Sequence, residues 1–240
     1  MSMLFPRWMN AIPTAVGIGG ALLVVGVSAV YMYYFTPEFW RVGYEPIQPV
    51  DYSHQLHAGT LGIDCRYCHS DVEKSPHANV PDVETCMNCH TGVGEQSFLN
   101  ATKWQAHKVN PNLIQVREAA AAGTPIRWRR IHKAPDYVQF NHAIHVNAGV
   151  SCFSCHGRVD QLAHVRQVHG MGMQFCLDCH REPERFIVAA DDDPATPAPR
   201  ITDLGAIEAL LAQPGHVELG RAMIENRKVQ PAESCGTCHY

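Results

Sequence analysis

Cys65-Arg66-Tyr67-Cys68-His69 is the first of five copies of the pattern Cys-x-x-Cys-His in this 240-residue chain. The other four copies end at His90, His156, His180 and His239. No cysteine lies outside the pattern, and the ten are Cys65, Cys68, Cys86, Cys89, Cys152, Cys155, Cys176, Cys179, Cys235 and Cys238. A fivefold repeat of two thiols beside one imidazole therefore organises the whole chain.

The spacing of the repeat has a chemical reason. Two thiols three positions apart can each add to one vinyl group of a haem, while the adjoining imidazole reaches the iron. We call each copy a clamp, number the clamps one to five along the chain, and predict five covalently bound c-type haems. The proximal iron ligands are then His69, His90, His156, His180 and His239. Structural zinc also uses cysteine and histidine, but five copies with no spare cysteine favour haem over zinc, and a disulfide framework gives no reason for the histidines.

An uncharged stretch from Asn10 to Pro37 precedes the first clamp. About 20 apolar residues suffice to cross a bilayer as a helix. Arg7 lies before the stretch, and aromatic residues mark both of its edges, as at membrane interfaces: Trp8, Tyr31, Tyr33, Tyr34, Phe39 and Trp40. A cleaved secretory signal ending near Val27-Ser28-Ala29 is the alternative, but the apolar run is longer than a typical signal core. We predict one retained transmembrane helix with its amino end in the cytoplasm.

The remaining chain repeats itself and lacks alternating strand patterns. Tyr52-Ser53-His54-Gln55-Leu56-His57 precedes the first clamp, and Phe140-Asn141-His142-Ala143-Ile144-His145 precedes the third at nearly the same distance. We predict a mainly helical protein with much irregular structure, in which haem replaces much of the usual core. The predicted divisions are an anchor (1–40), a first dihaem module (41–110), a connector (111–139), a second dihaem module (140–188), and a linker, helices and fifth haem site (189–240).

Three further helices follow from periodicity and end signals. One covers Gln115 to Ala122 and stops at Gly123. The other two cover Asp203 to Ala212 and His216 to Lys228, separated by Pro214-Gly215. Residues 189–200 form an acidic, proline-rich linker, and packing alone explains these last two helices apart from His216.

Each clamp supplies one axial ligand, so the other histidines decide the sixth ligand of each iron. The three-residue spacing in His54/His57 and in His142/His145 lets neighbouring imidazoles on a helical turn point to different irons. His77 and His132 are further candidates, while His107 reads as solvent-exposed. For the fourth haem His164, His169 and Met173 compete, and a methionine ligand would raise the potential. For the fifth haem the local donors are His216 and Met223, unless it borrows His57 or His145.

The segments before the first and third clamps resemble those of the small class III multihaem cytochromes, in which [Phe/Tyr]-x-His-x-x-His lies just before a clamp. In that group the first histidine usually ligates the following haem and the second a more distant one. The resemblance implies that His54 serves the first haem and His142 the third, while His57 and His145 reach haems distant in sequence.

The order of motifs along nearly the whole chain resembles the pentahaem cytochrome c subunit of alternative complex III, a bacterial quinol oxidoreductase. The resemblance rests on the anchor, Pro49-Val50-Asp51-Tyr52-Ser53-His54, Asn79-Val80-Pro81, Pro125-Ile126-Arg127-Trp128 and Met173-Gln174-Phe175-Cys176. It implies a polytopic quinol-binding membrane subunit, an iron-sulfur subunit and a monohaem cytochrome c or other soluble acceptor as partners. The histidines at 164 and 169 depart from the pattern and leave the ligand of the fourth haem open.

These observations predict an electron-transfer subunit in the cytoplasmic membrane, single-pass, with its haem domain on the periplasmic side, where haem is attached. A single span without ionisable residues cannot itself enclose a quinol site, so quinol oxidation needs another chain. All five clamps keep their histidine, which disfavours catalysis at an open iron, and no nucleic-acid partner is expected. The net charge of −4 favours a basic soluble acceptor. A stand-alone membrane-anchored quinol dehydrogenase or electron wire is the alternative.

Overall fold

A computed structural model describes residues 6–35, 42–90, 111–188 and 198–239. Three expectations lie wholly or partly outside these residues: the exposure of His107, the interfacial position of Phe39 and Trp40, and most of the linker 189–200. The chain divides into two units, Met1–Val42 and Gly43–Tyr240.

The first unit is built on one long helix. A 3-10 turn, Arg7–Ala11, leads into the α-helix Ile12–Phe35. At 1.5 Å per residue its 24 residues extend about 36 Å, which exceeds the roughly 30 Å hydrocarbon core of a bilayer. The helix carries no charge, and the 29 residues Arg7–Phe35 are long and apolar enough to cross a membrane. The predicted N-terminal apolar helix is confirmed.

The second unit is mainly helical, and its helices are short. The α-helices are Cys65–Cys68, Val83–His90, Ile114–Ala122, His142–Asn147, Cys152–His156, Met173–Arg181, Leu204–Leu211, His216–Arg227 and Cys235–Cys238. A π-helix spans Gln55–Thr60, and 3-10 turns span Pro111–Leu113, Val159–Gln161 and Pro183–Arg185. No strand forms in the described ranges, where a single antiparallel bridge joins Val150 and Ile187. The predicted fold class is confirmed.

Each clamp lies on its own helix, and polar side chains cap several of these helices. Asp64 accepts from the backbone N–H of Arg66 at the start of Cys65–Cys68, and Ser151 accepts from that of Phe153 at the start of Cys152–His156. Such caps satisfy backbone donors that have no partner inside the helix. In a helix of four or five residues one cap bond is a large share of the backbone bonding, so the capping residue largely fixes the position of the clamp.

The three helices predicted outside the clamps are confirmed. Ile114–Ala122, called the connector helix below, ends at Gly123, which has φ +61° and takes the left-handed conformation that glycine adopts without strain. Leu204–Leu211 begins at Asp203, whose side chain accepts from the N–H of Ala206. His216–Arg227 ends at Lys228.

The segments that carry the paired histidines differ in their backbone. His142–Asn147 is a regular α-helix, capped by Asn141. Gln55–Thr60 is instead a π-helix, in which the N–H of Leu61 donates to the carbonyl of Leu56 at 2.9 Å, five residues back. Seven residues separate His57 from Cys65 but only six separate His145 from Cys152. The wider turn absorbs the extra residue, as π-bulges do.

Different helices cover the two halves of the second unit with apolar side chains. The connector helix packs on the second clamp, where Val50, Val83 and Val116 are buried with Trp128 against them. The C-terminal helices cover the other half, where Ile207 lies in one cluster and Ile187 and Met223 lie in another. Each cluster has only two or three buried members, which fits the expectation that haem takes the place of much of the core.

Candidate haem-binding site

In the first half an aromatic ring holds the two paired imidazoles. The ring of Tyr52 stacks on that of His57, with centroids 4.4 Å apart and planes at 26°, and meets the ring of His54 edge-on at 4.9 Å. The Nδ1 atom of His57 bonds the carbonyl of Ser53 at 2.8 Å. The stacking contact on one face of the His57 ring and the hydrogen bond at its Nδ1 atom therefore fix the orientation of the ring.

The second half repeats this arrangement. Phe140 lies against His145 at 4.5 Å and 31°, and meets His142 edge-on at 4.8 Å. The Nδ1 atom of His145 bonds the carbonyl of Asn141 at 2.8 Å. The sequence motif contains the aromatic residue but does not indicate what its side chain contacts. In the structure the ring two positions before the first histidine packs against the ring of the second histidine.

Two of the paired histidines face clamp histidines across a gap of defined width. The ring centroids of His57 and His90 are 6.1 Å apart, and those of His145 and His180 are 6.0 Å apart. Two imidazoles that bind one metal ion from opposite sides at about 2 Å have centroids roughly 6 Å apart. The separation in both pairs therefore suits one iron between the rings, at the second clamp and at the fourth.

Backbone carbonyls set the proton position on many of these rings. Nδ1 lies 2.7–3.1 Å from a main-chain carbonyl oxygen in His57, His69, His142, His145, His180, His216 and His239. A carbonyl only accepts, so Nδ1 carries the proton and Nε2 keeps its lone pair for a metal. His216 shares this arrangement with three clamp histidines and three motif histidines, which the sequence alone did not indicate.

The first and third clamps share a cluster of imidazoles. Burial, with the nearby His69 and His57, lowers the pKa of His54 to about 4. Burial, with His132 and His142 as the next causes, lowers the pKa of His156 to about 3. His132 touches His156 directly at 4.3 Å, too close for an iron between them. His54, His132 and His142 thus lie in one cluster with the histidines of the first and third clamps.

The three donors considered for the fourth haem lie in three different surroundings. Met173 is 69% exposed and begins the helix that carries His180. Seven residues of α-helix separate the two side chains by about 10 Å along the axis, so they do not face each other across one iron. Nε2 of His164 lies 3.4 Å from the carboxylate of Asp51, and His169 stacks on Phe175 at 5.4 Å. The ring of His145 lies 6.0 Å from that of His180.

The fifth clamp is held by the segment before the second motif. The N–H of Gln139 donates to the carbonyl of Cys238 at 2.8 Å, and Nδ1 of His239 donates to the carbonyl of Tyr137 at 3.1 Å. Met223, a sequence-based candidate for this haem, is 3% exposed and packs in the apolar core with Ile187. Its thioether is therefore enclosed by apolar neighbours, while His216 and the exposed His77 keep their side chains outside that core.

The donor set therefore fits haem better than a bare metal. All ten cysteines are free thiols. Nowhere in the described part of the chain do three or more His, Cys, Asp or Glu side chains converge as they would around zinc. Paired thiols on short helices, with an imidazole beside them and a second imidazole about 6 Å away, suit a haem bound by two thioethers and two axial nitrogens.

Comparison with known proteins finds similarity to cytochromes c. Residues 138–240, which hold the second histidine motif and the last three clamps, match the family described as cytochrome c7 and related cytochrome c. The chain is 31% identical over 140 residues to the "Menaquinone reductase, multiheme cytochrome c subunit" of Nitratidesulfovibrio vulgaris. That alignment covers 58% of this chain and 59% of the relative. The chain thus matches less than two thirds of the relative's length.

Both matches are to cytochromes c, and the named relative is a multiheme one. The cofactor that these similarities indicate is covalently bound c-type haem. The five clamps suit covalent haem attachment, and the apolar helix is long enough to cross a membrane.

Proposed function

We propose that all five clamps of this cytochrome hold haem. The cysteine pairs would form the thioether bonds, and the clamp histidines would be the proximal ligands. One-electron transfer is the chemistry that haem supplies when bound. What the chain itself contributes is fixed ring orientation, through carbonyl bonds to Nδ1 and through Tyr52 and Phe140, and dry surroundings near the iron.

His57 and His145 are the proposed sixth ligands of the second and fourth haems. The carrying observation is the matched pair of separations, 6.1 Å to His90 and 6.0 Å to His180. His54 is the proposed ligand at the first clamp, and His142 at the third, where it follows the arrangement of the first. Bis-imidazole ligation at these sites keeps potentials lower than methionine ligation would.

The cytochrome is proposed to work as a subunit of a membrane quinol oxidoreductase of the alternative complex III type. The relative is named as a menaquinone reductase subunit, which supports a quinone-linked complex. The uncharged helix Ile12–Phe35 has no proton acceptor for quinol chemistry, so a polytopic subunit would bind the quinol. An iron-sulfur subunit would accept its electrons, and a monohaem cytochrome c or other soluble acceptor would receive them from this chain.

The haem-carrying unit is proposed to lie on the periplasmic side of the cytoplasmic membrane. Arg7 precedes the helix, and the positive-inside rule places such a residue in the cytoplasm. The chain would then emerge on the side where haem is attached. In this arrangement the haem domain meets the soluble acceptor without crossing the membrane again.

Purification of the native protein in mild detergent tests the proposal. Intact mass spectrometry of the denatured chain is expected to show the polypeptide plus five haems. Size-exclusion chromatography is expected to show comigration with polytopic membrane chains, and added menaquinol or ubiquinol is expected to reduce the haems of the complex. Migration of the chain alone, with direct reduction by quinol, would support the stand-alone dehydrogenase or wire instead.

A further inference from the structure

One short segment near the C-terminal helices bonds to the caps of two different clamps. The hydroxyl of Ser151, which caps the third clamp helix, donates to the carbonyl of Ile201 at 2.7 Å. The hydroxyl of Thr202 donates to the carboxylate of Asp64, which caps the first clamp helix, at 2.9 Å. Consecutive residues thus bind two capping side chains that lie 87 positions apart in sequence, at 64 and 151.

Burial and charge strengthen this double attachment. Ser151 is 2% exposed and Ile201 is 4% exposed, so the bond between them is shielded from water. Ile201 packs in the cluster that includes Val188 and Ile207. On the other side, the guanidinium of Arg200 lies 3.9 Å from the carboxylate of Asp64. We call residues 200–202 the strap.

The two clamps that the strap joins are in contact. The side chains of Cys65 and Cys152 lie close together, since each shifts the pKa of the other thiol. These are the first cysteines of the first and third clamps, so each follows directly after its capping residue. The strap and the contact between the Cys65 and Cys152 side chains therefore both lie at the N-terminal ends of the first and third clamp helices.

The caps of the other clamps are bonded locally in the described residues. Asp82 accepts from the backbone N–H and the hydroxyl of Thr85, at 2.8 and 2.7 Å, ahead of the second clamp. Gly172 precedes the helix of the fourth clamp and has no side chain to share. Ser234 bonds Thr237 within the fifth clamp at 2.7 Å. A cap shared with a distant segment is thus a property of the first and third clamps.

We propose that the strap sets the separation of the first and third haem-binding sites. Of all pairs of sites with one member in each module, these two would then lie closest together. Thr202, Ser151 and Ile201 are positioning residues in this role, since they act through the clamp caps. The inference rests on the proposed function, because it assumes haem at both clamps.

The test compares the holoprotein with its Thr202→Val and Thr202→Ser variants. Low-temperature EPR during a redox titration is expected to show that two low-spin centres interact in the wild type. Thr202→Val keeps the side-chain shape and removes the bond to Asp64, so the interaction is expected to be lost and the two centres to titrate independently. Thr202→Ser retains the hydroxyl and is expected to keep the wild-type interaction. Haem content by mass is expected to be the same in all three proteins.

Thr85→Val is the matched control, because it removes a hydroxyl-to-carboxylate bond of the same kind at the second clamp. It is expected to leave the interaction unchanged. Three results would overturn the proposed role of the strap. They are an equal loss of the interaction in Thr85→Val, an unchanged interaction in Thr202→Val, and the absence of an interacting pair of centres in the wild type. If Thr202→Val fails to load haem, Arg200→Gln at the exposed end of the strap is expected to weaken the interaction, and an unchanged signal there would also overturn it. A wild-type mass short of five haems would instead contradict the proposed function.

Discussion

The two histidine motifs of this protein build the same arrangement of imidazoles on different backbones. His57 sits on a π-helix and His145 on an α-helix, yet each ring is 4.4–4.5 Å from its aromatic support and each faces a clamp histidine at 6.0–6.1 Å. The position of the imidazole is held by the aromatic ring and the carbonyl four residues back. An extra residue in the loop to the clamp therefore changes the helix type and leaves the site unchanged.

The two halves differ more in what covers them. Trp128 meets Tyr52 edge-on at 6.5 Å and packs on the cluster around Val116, so the connector shields the first motif. Phe140 is 41% exposed in the second motif. The first motif is thus embedded in protein, while the second relies on fewer neighbours, and substitutions can measure that difference.

Replacement of the proposed sixth ligands should have the largest effect. His57→Met is expected to raise the potential of the second haem by roughly 0.1–0.3 V, a fraction of the about 0.8 V over which axial ligands set haem potentials. His145→Met is expected to do the same at the fourth haem. Spectropotentiometric titration measures both shifts.

Met173→Leu is the control for this pair of variants. Because Met173 is exposed and on the same helix as His180, its loss is expected to leave every potential and the EPR spectrum unchanged. A changed fourth haem in Met173→Leu, with none in His145→Met, would reverse the assignment at that site.

A glycine in the π-helix gives the next largest effect. A Cβ atom at Gly59 would collide with the main-chain carbonyl oxygen of Asp160, which lies in the second half. Gly59→Ala is therefore expected to destabilise the protein by about 1–3 kcal/mol, read as a lower melting temperature in calorimetry. Gly236→Ala, where nothing lies within 4 Å, is the matched control and should melt like the wild type. Equal melting of both variants would show that the halves do not meet at Gly59.

Replacement of Tyr52 or Phe140, whose rings pack on the imidazoles, should give the smallest effect. Tyr52→Leu and Phe140→Leu each remove a ring from an imidazole face, at a cost of about 0.5–1.5 kcal/mol beyond buried area. The EPR g values of the second haem are expected to move in Tyr52→Leu, and those of the fourth in Phe140→Leu, since the ring plane is no longer fixed. Tyr52→Phe keeps the stack and should retain the wild-type spectrum. A spectrum altered in Tyr52→Phe would assign the orientation to the hydroxyl instead.

Much of the local structure followed from the sequence. Gly123 predicted the end of the connector helix, and Asp203 predicted the start of the helix after the strap, because caps and left-handed termini depend on neighbouring residues only. The π-helix did not follow from the sequence, since the one-residue difference between the two motifs could equally have been absorbed in the loop before Cys65. The sequence also left the ligand of the fourth haem open among His164, His169 and Met173, because only the fold shows that the ring of His145 lies 6.0 Å from that of His180.

The sequence by itself determined how haem is attached, because the reaction of two thiols and one imidazole with a porphyrin depends on spacing within five residues. It also determined the apolar helix, since length and lack of charge suffice for that. Only the tertiary structure decided which imidazole faces which clamp and that Asp64 and Ser151 share one strap. Those contacts join residues 33 to 138 positions apart, and no local rule of spacing reaches that far.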